Sequence, residues 1–195
     1  MGKTRLEAFS DGVIAIIITI MVLELRAPHE TELDAIRPLL PVFSSYVLSF
    51  VYIGIYWSNH HHLLHTARHV TGGIMWANLH LLFWLSLVPF VTAWMGENHF
   101  EQQPVALYGV VMLMAGVAYY ILELILIRHH GPESALREAV GAHDVKGMIS
   151  VMLYAVAIVA AALGGRWIAL AIYVALALWW LIPDPRIEKR AHQHM

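Results

Sequence analysis

The sequence predicts an all-α integral membrane protein with six transmembrane helices in each subunit. Two features of the composition support this fold class. Hydrophobic residues make up 59% of the 195 positions and charged residues only 13%, about half of the ~25% that soluble domains carry. The mean hydropathy is +0.62. The third observation is a series of long runs without Asp, Glu, Lys or Arg, which favour lipid as the solvent of most of the chain.

Five of these runs are long enough to cross a bilayer, whose ~30 Å core requires about 20 helical residues. They cover residues 38–67, 69–96, 102–122, 147–165 and 167–183. Helices are the expected structure, because backbone groups in lipid must be satisfied internally and the runs do not alternate as barrel strands do. With a shorter opening run, they predict one domain, 1–195, with spans at about 6–25, 38–66, 72–96, 104–127, 146–164 and 167–183.

The basic residues predict the orientation of these spans. With six spans, both termini lie on the same side as alternate loops, and that side carries nine basic residues against three on the other. An excess of Lys and Arg marks the cytoplasmic side. We therefore expect a multi-pass protein of the plasma membrane with both termini in the cytoplasm. The nine are Lys3, Arg5, Arg68, Arg128, Arg137, Lys146, Arg186, Lys189 and Arg190, and the three are Arg26, Arg37 and Arg166.

The composition also excludes several function classes. The chain has no cysteine, which rules out disulfides, thiolate metal sites and a cysteine nucleophile. The net charge is -2 and no basic block is present, so we expect no nucleic-acid partner. No paired carboxylates and no nucleophile–base arrangement stand out, and we predict that the protein is not an enzyme.

The opening segment, residues 5–25, is unusual for a membrane helix. Only 12 residues without charge, 12–23, separate Asp11 from Glu24. A charge inside a span costs at least ~2.5 kcal/mol and normally faces protein or water, so this helix is predicted to be central. The six residues from Arg5 to Asp11 turn the helix by ~600°, so the two side chains lie on different sides of its axis. Either each reaches a neighbouring helix or subunit, or Arg5 extends to the interface while Ser10 or Asp11 caps the helix.

The middle of this helix carries two apolar faces that periodicity does not separate. Ile16, Ile20 and Leu23 follow an i, i+4, i+7 pattern and share one face, with Thr19 beside them. The competing face is equally apolar and consists of Val13, Ile17 and Met21. Either face could simply pack against protein.

Two motifs resemble a known family. Arg5, Phe9, Ser10 and Asp11 fit an R-x-x-x-F-S-D signature at the start of the first helix, and the run WSNHHH, 57–62, is similar to the second helix. The chain resembles bacterial members of the endosomal and lysosomal potassium channel family of the transmembrane-protein-175 type. Six spans in about 200 residues match their length, so the resemblance covers the whole chain.

The resemblance implies a potassium-selective cation channel without the TVGYG filter, which this sequence also lacks. It implies a homotetramer in membrane lipid, with the first helix of each subunit lining a central pore. It places the pore constriction at Ile16, with further apolar rings at Ile20 and Leu23, and a selectivity hydroxyl at Thr19. The permeant ions would be monovalent cations, chiefly K⁺, and no cofactor is implied.

An apolar ring offers no oxygen to replace hydration water, so such a constriction would close by dewetting. Potassium holds its water less tightly than sodium, and hydroxyls at Thr19 could return part of the lost hydration. We therefore expect moderate selectivity. Acidic residues on the outer side would concentrate cations at the mouth; they are Glu24, Glu30, Glu32, Asp34, Glu97 and Glu101.

The 13 histidines suggest a metal site, although none is predicted. His61 and His65 are spaced i, i+4, which suits a metal or haem pair, but no carboxylate or cysteine stands at ligand spacing. We expect polar residues near the membrane interface instead. Arg5, Phe9, Ser10 and Asp11 are predicted to form a structural network that locks the first helix to its neighbours. Its possible partners are His60, His61, His62, His65 and His80.

Two alternative functions remain open from the sequence. One is a His-rich integral membrane protein that binds metal or performs redox chemistry. The other is a secondary transporter, which would require inverted repeats and helices broken at mid-membrane; neither is visible in the sequence.

Overall fold

A computed structural model describes residues 2–29, 31–65, 67, 69–130 and 145–182, and every regular element among them is helical. The elements are α1 (Lys3–Leu23), a 3₁₀ helix (Leu33–Leu39), α2 (Leu40–His65), α3 (Gly72–Ser86), α4 (Val88–Glu97), α5 (Gln102–His130), α6 (Val145–Ala162) and α7 (Arg166–Leu181). The predicted all-α fold class is therefore confirmed. Parts of the basic side, at residues 68, 137, 186, 189 and 190, lie outside the described residues.

Four helical segments are long and apolar enough to cross a membrane: Lys3–Leu23, Leu33–His65, Gly72–Glu97 and Gln102–His129. The last two described helices are shorter and also apolar, at Lys146–Ala162 and Arg166–Leu181. A tight turn joins them. Gly164 has φ +97°, and the amides of Gly164 and Gly165 donate to the carbonyls of Ala161 and Ala160. This is a Schellman C-cap, and its positive φ favours glycine.

The segment 72–96, expected as a single span, consists of two helices that meet at Leu87. Pro89 lies in the first turn of α4. Proline has no N–H, so the carbonyl four residues earlier loses its helical donor and the chain bends there. The break leaves Gly72–Glu97 continuous enough to count as one membrane segment.

The interior is organised around α5, which packs most extensively against α3 and α6 and also touches α4 and α7. Helix α2 packs against α4, α1 and α7, whereas α1 contacts α2, α3 and α4. A buried hydroxyl cluster ties three helices together: Ser49 Oγ lies 2.7 Å from Thr92 Oγ1 and donates to Tyr108 Oη at 3.1 Å. Helix α1, whose main contacts are with α2, α3 and α4, lies along one side of the subunit.

The contact between α2 and α4 depends on Gly96. A Cβ at Gly96 would lie 2.5 Å from Ser45 Oγ and 2.7 Å from Val42 Cα. The second contact is to backbone, so side-chain rotation cannot relieve it. The glycine therefore sets the distance between the two helices, as small residues do in membrane interfaces.

We expect Gly96→Ala to destabilise the subunit by about 1–3 kcal/mol, the range for overpacking a close-packed contact. The measurement is the melting temperature in detergent, followed by size-exclusion chromatography after heating. Gly116→Ala on α5 is the matched control, because its new Cβ would meet only Tyr56 Oη, at 3.7 Å. Equal melting temperatures for the two variants would contradict the prediction.

Candidate functional site

Helix α1 has one buried and one exposed face within the subunit. The buried face carries Leu6, Ser10, Ile14, Ile17 and Met21. On the other face, Ile16 is 58% exposed, Ile20 42% and Leu23 75%. Ile17 and Met21 belong to the competing face and are only 4% and 2% exposed. The structure thus separates the two apolar faces: one packs on the core of its own subunit, and the other faces outward.

Thr19 lies on the exposed side of α1, beside this apolar stripe. Its Oγ1 donates to the carbonyl of Ile16 at 2.9 Å. The hydroxyl proton is therefore satisfied within the helix, as is usual for Thr in apolar helices. The oxygen lone pairs remain as acceptors on the exposed face.

Ser10 begins a buried polar chain across three helices. Its Oγ donates to the carbonyl of Leu6 at 2.9 Å and accepts from Asn78 Nδ2 of α3, also at 2.9 Å. Asn78 Oδ1 lies 2.6 Å from His60 Nε2 of α2, and all three side chains are buried. Since Asn78 Oδ1 can only accept, the network assigns the proton to His60 Nε2.

Asp11 connects α1 to α2 by a second route. Trp57 Nε1 donates to Asp11 Oδ1 at 3.0 Å. Together with the Ser10 chain, this bond fixes the rotation of α1 about its own axis, because neighbouring residues are held by α3 and by α2. The exposed direction of Ile16 follows from these two anchors.

Arg5 and Phe9 point away from this polar chain. Both are exposed, and they lie i−11 and i−7 from Ile16, on the same side of the helix. The four signature residues are therefore not brought together within one subunit. Ser10 faces the core and Asp11 bonds across to α2, whereas Arg5 and Phe9 face outward with the apolar stripe.

Of the predicted histidine partners, only His60 joins the polar chain. His80 Nε2 accepts from Trp84 Nε1 of its own helix at 3.0 Å. His61 and His62 are exposed, and the His61 ring lies 6.2 Å from that of His65. In the part of the chain that the structure describes, no three His, Asp or Glu side chains are grouped as metal ligands.

Sequence reasoning missed two members of the site, Asn78 and Trp57. Asn78 is a lone amide in the apolar run of α3, and such an isolated polar residue in a span is itself a signal. In the sequence, Trp57 stands out only as the first residue of the WSNHHH motif. Its indole N–H requires a partner when the ring packs against protein, but the sequence does not say that Asp11 supplies it.

Two of the acidic side chains predicted at the outer mouth form ion pairs. Arg166 donates to Glu101, and this bond and the guanidinium charge lower the pKa of the Glu101 carboxyl. Arg37 Nε lies 3.1 Å from Asp34 Oδ1. The negative charge of these two carboxylates is thus partly neutralised. Glu30 lies outside the described residues.

The fold and the site define an all-α, multi-pass membrane protein whose first helix turns one apolar face away from its own subunit. A protein named a potassium channel, from Chryseobacterium sp. (strain P1-3), is 53% identical over 189 residues, which are 97% of this chain and 97% of the relative. The chain therefore belongs to the family described as endosomal/lysosomal potassium channel TMEM175, whose sequence profile matches residues 5–89.

Further comparisons agree with this assignment. A potassium channel from Streptomyces collinus (strain DSM 40733 / Tue 365) is 35% identical over 126 residues, 60% of this chain and 61% of the relative. The crystal structure of a lysosomal potassium-selective channel TMEM175 homolog from Chamaesiphon minutus matches with a TM-score of 0.80 at 25% identity, over 92% of this chain and 96% of the other.

These findings confirm the predicted family resemblance. They also confirm that the protein is not an enzyme, because the family and the relatives are channels. The family and the apolar helices together identify a multi-pass membrane protein.

Proposed function

We propose that this chain is a potassium-selective channel of the plasma membrane, assembled as a homotetramer in which the four α1 helices line a central pore. The observation that carries the proposal is the division of α1 into two faces. The residues that hold it in the subunit are buried, whereas Ile16, Ile20 and Leu23 are exposed. An apolar stripe next to polar Thr19 suits a pore wall better than a surface in contact with lipid alone.

In this assembly the exposed stripe forms stacked rings. Ile16 forms the constriction. Ile20 and Leu23 form two further apolar rings, one and two turns along the helix. No polar side chain lines the Ile16 ring, so a closed pore excludes water and ions by dewetting. Outward movement of the α1 helices by a few Å would admit water, and the pore would then conduct K⁺.

Thr19 supplies the selectivity of this pore. Its hydroxyl proton is donated to Ile16, which leaves an oxygen acceptor facing the axis between the Ile16 and Ile20 rings. A partly dehydrated K⁺ would accept this oxygen as a replacement for one water. Sodium, which holds its hydration shell more tightly, would lose more at the dry rings than the hydroxyls return.

Arg5 and Phe9 have a place in this arrangement as well. Both are exposed on the side of α1 that carries Ile16. In the proposed tetramer this side faces other subunits, so their network partners would belong to a neighbouring protomer. Ser10 and Asp11 position α1 within its own subunit, and Arg5 and Phe9 position it against the next. The excess of basic residues near the termini supports a cytoplasmic location for this end of α1.

The test is reconstitution of the purified chain in liposomes that contain KCl and are diluted into NaCl. Potassium efflux is read as protonophore-dependent quenching of a pH-sensitive dye, with empty liposomes as the background. A K⁺-selective channel gives quenching with a K⁺ gradient and much less with a Na⁺ gradient, and quenching without protonophore would reveal proton permeation. Native mass spectrometry should find four subunits. Absence of flux, or a different subunit number, would overturn the proposal.

We expect Thr19→Val to reduce the K⁺/Na⁺ permeability ratio. The substitution keeps the side-chain shape and removes the acceptor oxygen, and one neutral hydrogen bond is worth about 0.5–1.5 kcal/mol, or roughly two- to tenfold in the ratio. The ratio is measured from reversal potentials in planar bilayers. Thr19→Ser is the control, because it retains the hydroxyl and should retain the selectivity. An unchanged ratio in Thr19→Val would exclude a role for the hydroxyl.

A further inference from the structure

A cavity of about 350 Å³ is lined by residues of four helices, none of which is α1. Its walls are α2 and α6, its floor is α5, and Trp180 of α7 closes one end. Helices α2 and α6 both pack within the bundle but meet mainly through their neighbours. The cavity is thus a gap between two helices, of a size typical of ligand sites.

The floor of this cavity is created by a glycine. Gly116 of α5 lines it, and a Cβ there would meet only Tyr56 Oη, at 3.7 Å. A larger residue at this position would fill the cavity without displacing the backbone of another helix. By contrast, a Cβ at Gly109, two turns earlier on α5, would collide with Tyr173 Oη.

Several side chains that line the cavity are exposed at the surface of the subunit. Met148 and Met152 of α6 line it and are 48% and 63% exposed, and Tyr120 of α5 is 40% exposed. In a multi-pass membrane protein such outward apolar side chains contact acyl chains. The polar atoms of Trp180 and Ser150 are bonded to each other at 2.9 Å. The lining therefore suits a hydrocarbon chain.

One end of the cavity carries a positive charge at the depth of lipid headgroups. Lys146 precedes Gly147 and Met148, which line the cavity, and its ammonium lies 4.5 Å from the centroid of the Trp180 ring. Lys and Trp side chains at the ends of membrane helices mark the interface. From Lys146 to Tyr154, also a lining residue, α6 runs for about 12 Å, close to half of the ~30 Å bilayer core.

We propose that this cavity binds one acyl chain of an anionic phospholipid, whose phosphate headgroup pairs with Lys146. The charge at its mouth selects lipids with a net negative headgroup. Because α2 forms one wall and its Trp57 also donates to Asp11 of α1, a bound lipid would brace a helix that positions α1.

The test is native mass spectrometry of the full chain after incubation with phosphatidylglycerol or phosphatidylcholine of the same chain length. We expect one tightly held lipid per subunit, with phosphatidylglycerol preferred about fivefold, the effect of one Lys near an anionic headgroup. A parallel incubation with oleate distinguishes a phospholipid from a free fatty acid. Equal retention of the two phospholipids, or preferential retention of oleate, would overturn the proposal.

Variants distinguish the contribution of the acyl-chain cavity from that of the Lys146 charge. Gly116→Phe should abolish retention of both phospholipids, whereas Lys146→Gln should abolish only the preference for phosphatidylglycerol. Val156→Phe adds the same ring on the exposed side of α6, outside the cavity, and Arg128→Gln removes an exposed charge from α5; both should behave as wild type. If Gly116→Phe does not fold, Gly116→Leu replaces it. Unchanged retention in a folded Gly116 variant contradicts the site.

Discussion

Ile16→Asn is expected to raise the resting K⁺ flux at least tenfold and to reduce the K⁺/Na⁺ preference. The amide would hydrate the narrowest ring of the proposed pore and lower the dewetting barrier, and tenfold requires only ~1.4 kcal/mol of that barrier. Ile16 is 58% exposed in the subunit, so the substitution removes little core packing and the protein should still fold. The measurement is the liposome flux assay with K⁺ and Na⁺ gradients in parallel.

Two variants control for this result. Ile16→Leu keeps the ring apolar and should keep the resting flux low. Val22→Asn places the same amide on the exposed side of α1 but about 120° around the axis from Ile16, and it should affect flux far less. If Ile16→Asn conducts like the wild type, the constriction lies elsewhere.

Asn78→Leu is expected to produce one of the largest losses of stability among single substitutions. It leaves His60 Nε2 buried without its acceptor, at a cost of about 1–3 kcal/mol. It also removes the bond from Asn78 to Ser10 that joins α3 to α1, although the Ser10 hydroxyl still donates to Leu6. Ser10→Ala should cost less, because it removes one group and leaves only Asn78 Nδ2 unsatisfied. The melting temperatures of both variants in detergent provide the measurement.

The matched control for this series is Ser44→Ala. Ser44 donates to the carbonyl of Leu40 within its own helix and is exposed, so it contributes no bond between helices. We expect its melting temperature to stay near that of the wild type. Similar losses for Ser10→Ala and Ser44→Ala would show that the chain across α1, α2 and α3 adds little. Because this chain sets the rotation of α1, Asn78→Leu should also change the flux.

The fold class could be predicted because length and charge are strong constraints in lipid. Charge-free runs such as 102–122 have few structural alternatives to a helix, and α5 occupies this run. The break between α3 and α4 required one more observation, Pro89, whose effect on a helix depends on whether neighbouring groups replace the lost bond. The closeness of α4 to α2 at Gly96 could not be read from the sequence, since a glycine does not indicate which helix approaches it.

The polar site was predicted only in part. Ser10 and Asp11 were expected to reach neighbouring helices, but five histidines were possible partners and, of these, only His60 joins the chain with Ser10. Asn78, the group between them, lies 18 residues from His60 and 68 from Ser10. Contacts at such separations depend on how the helices are arranged in space. The cavity lined by Gly116 shares this property, because its lining comes from four different helices.

The sequence by itself determined that this protein lies in a membrane, that it is helical and that the charge-free run of its first helix is short and bounded by polar residues, because these features depend on local composition. It also carried the signature of its family in four residues. Only the tertiary structure decided which side of α1 is turned outward. An apolar helix has no intrinsic preference between the faces of Ile16 and Ile17, since both are equally hydrophobic. The bonds of Ser10 to Asn78 and of Trp57 to Asp11 supply the missing direction.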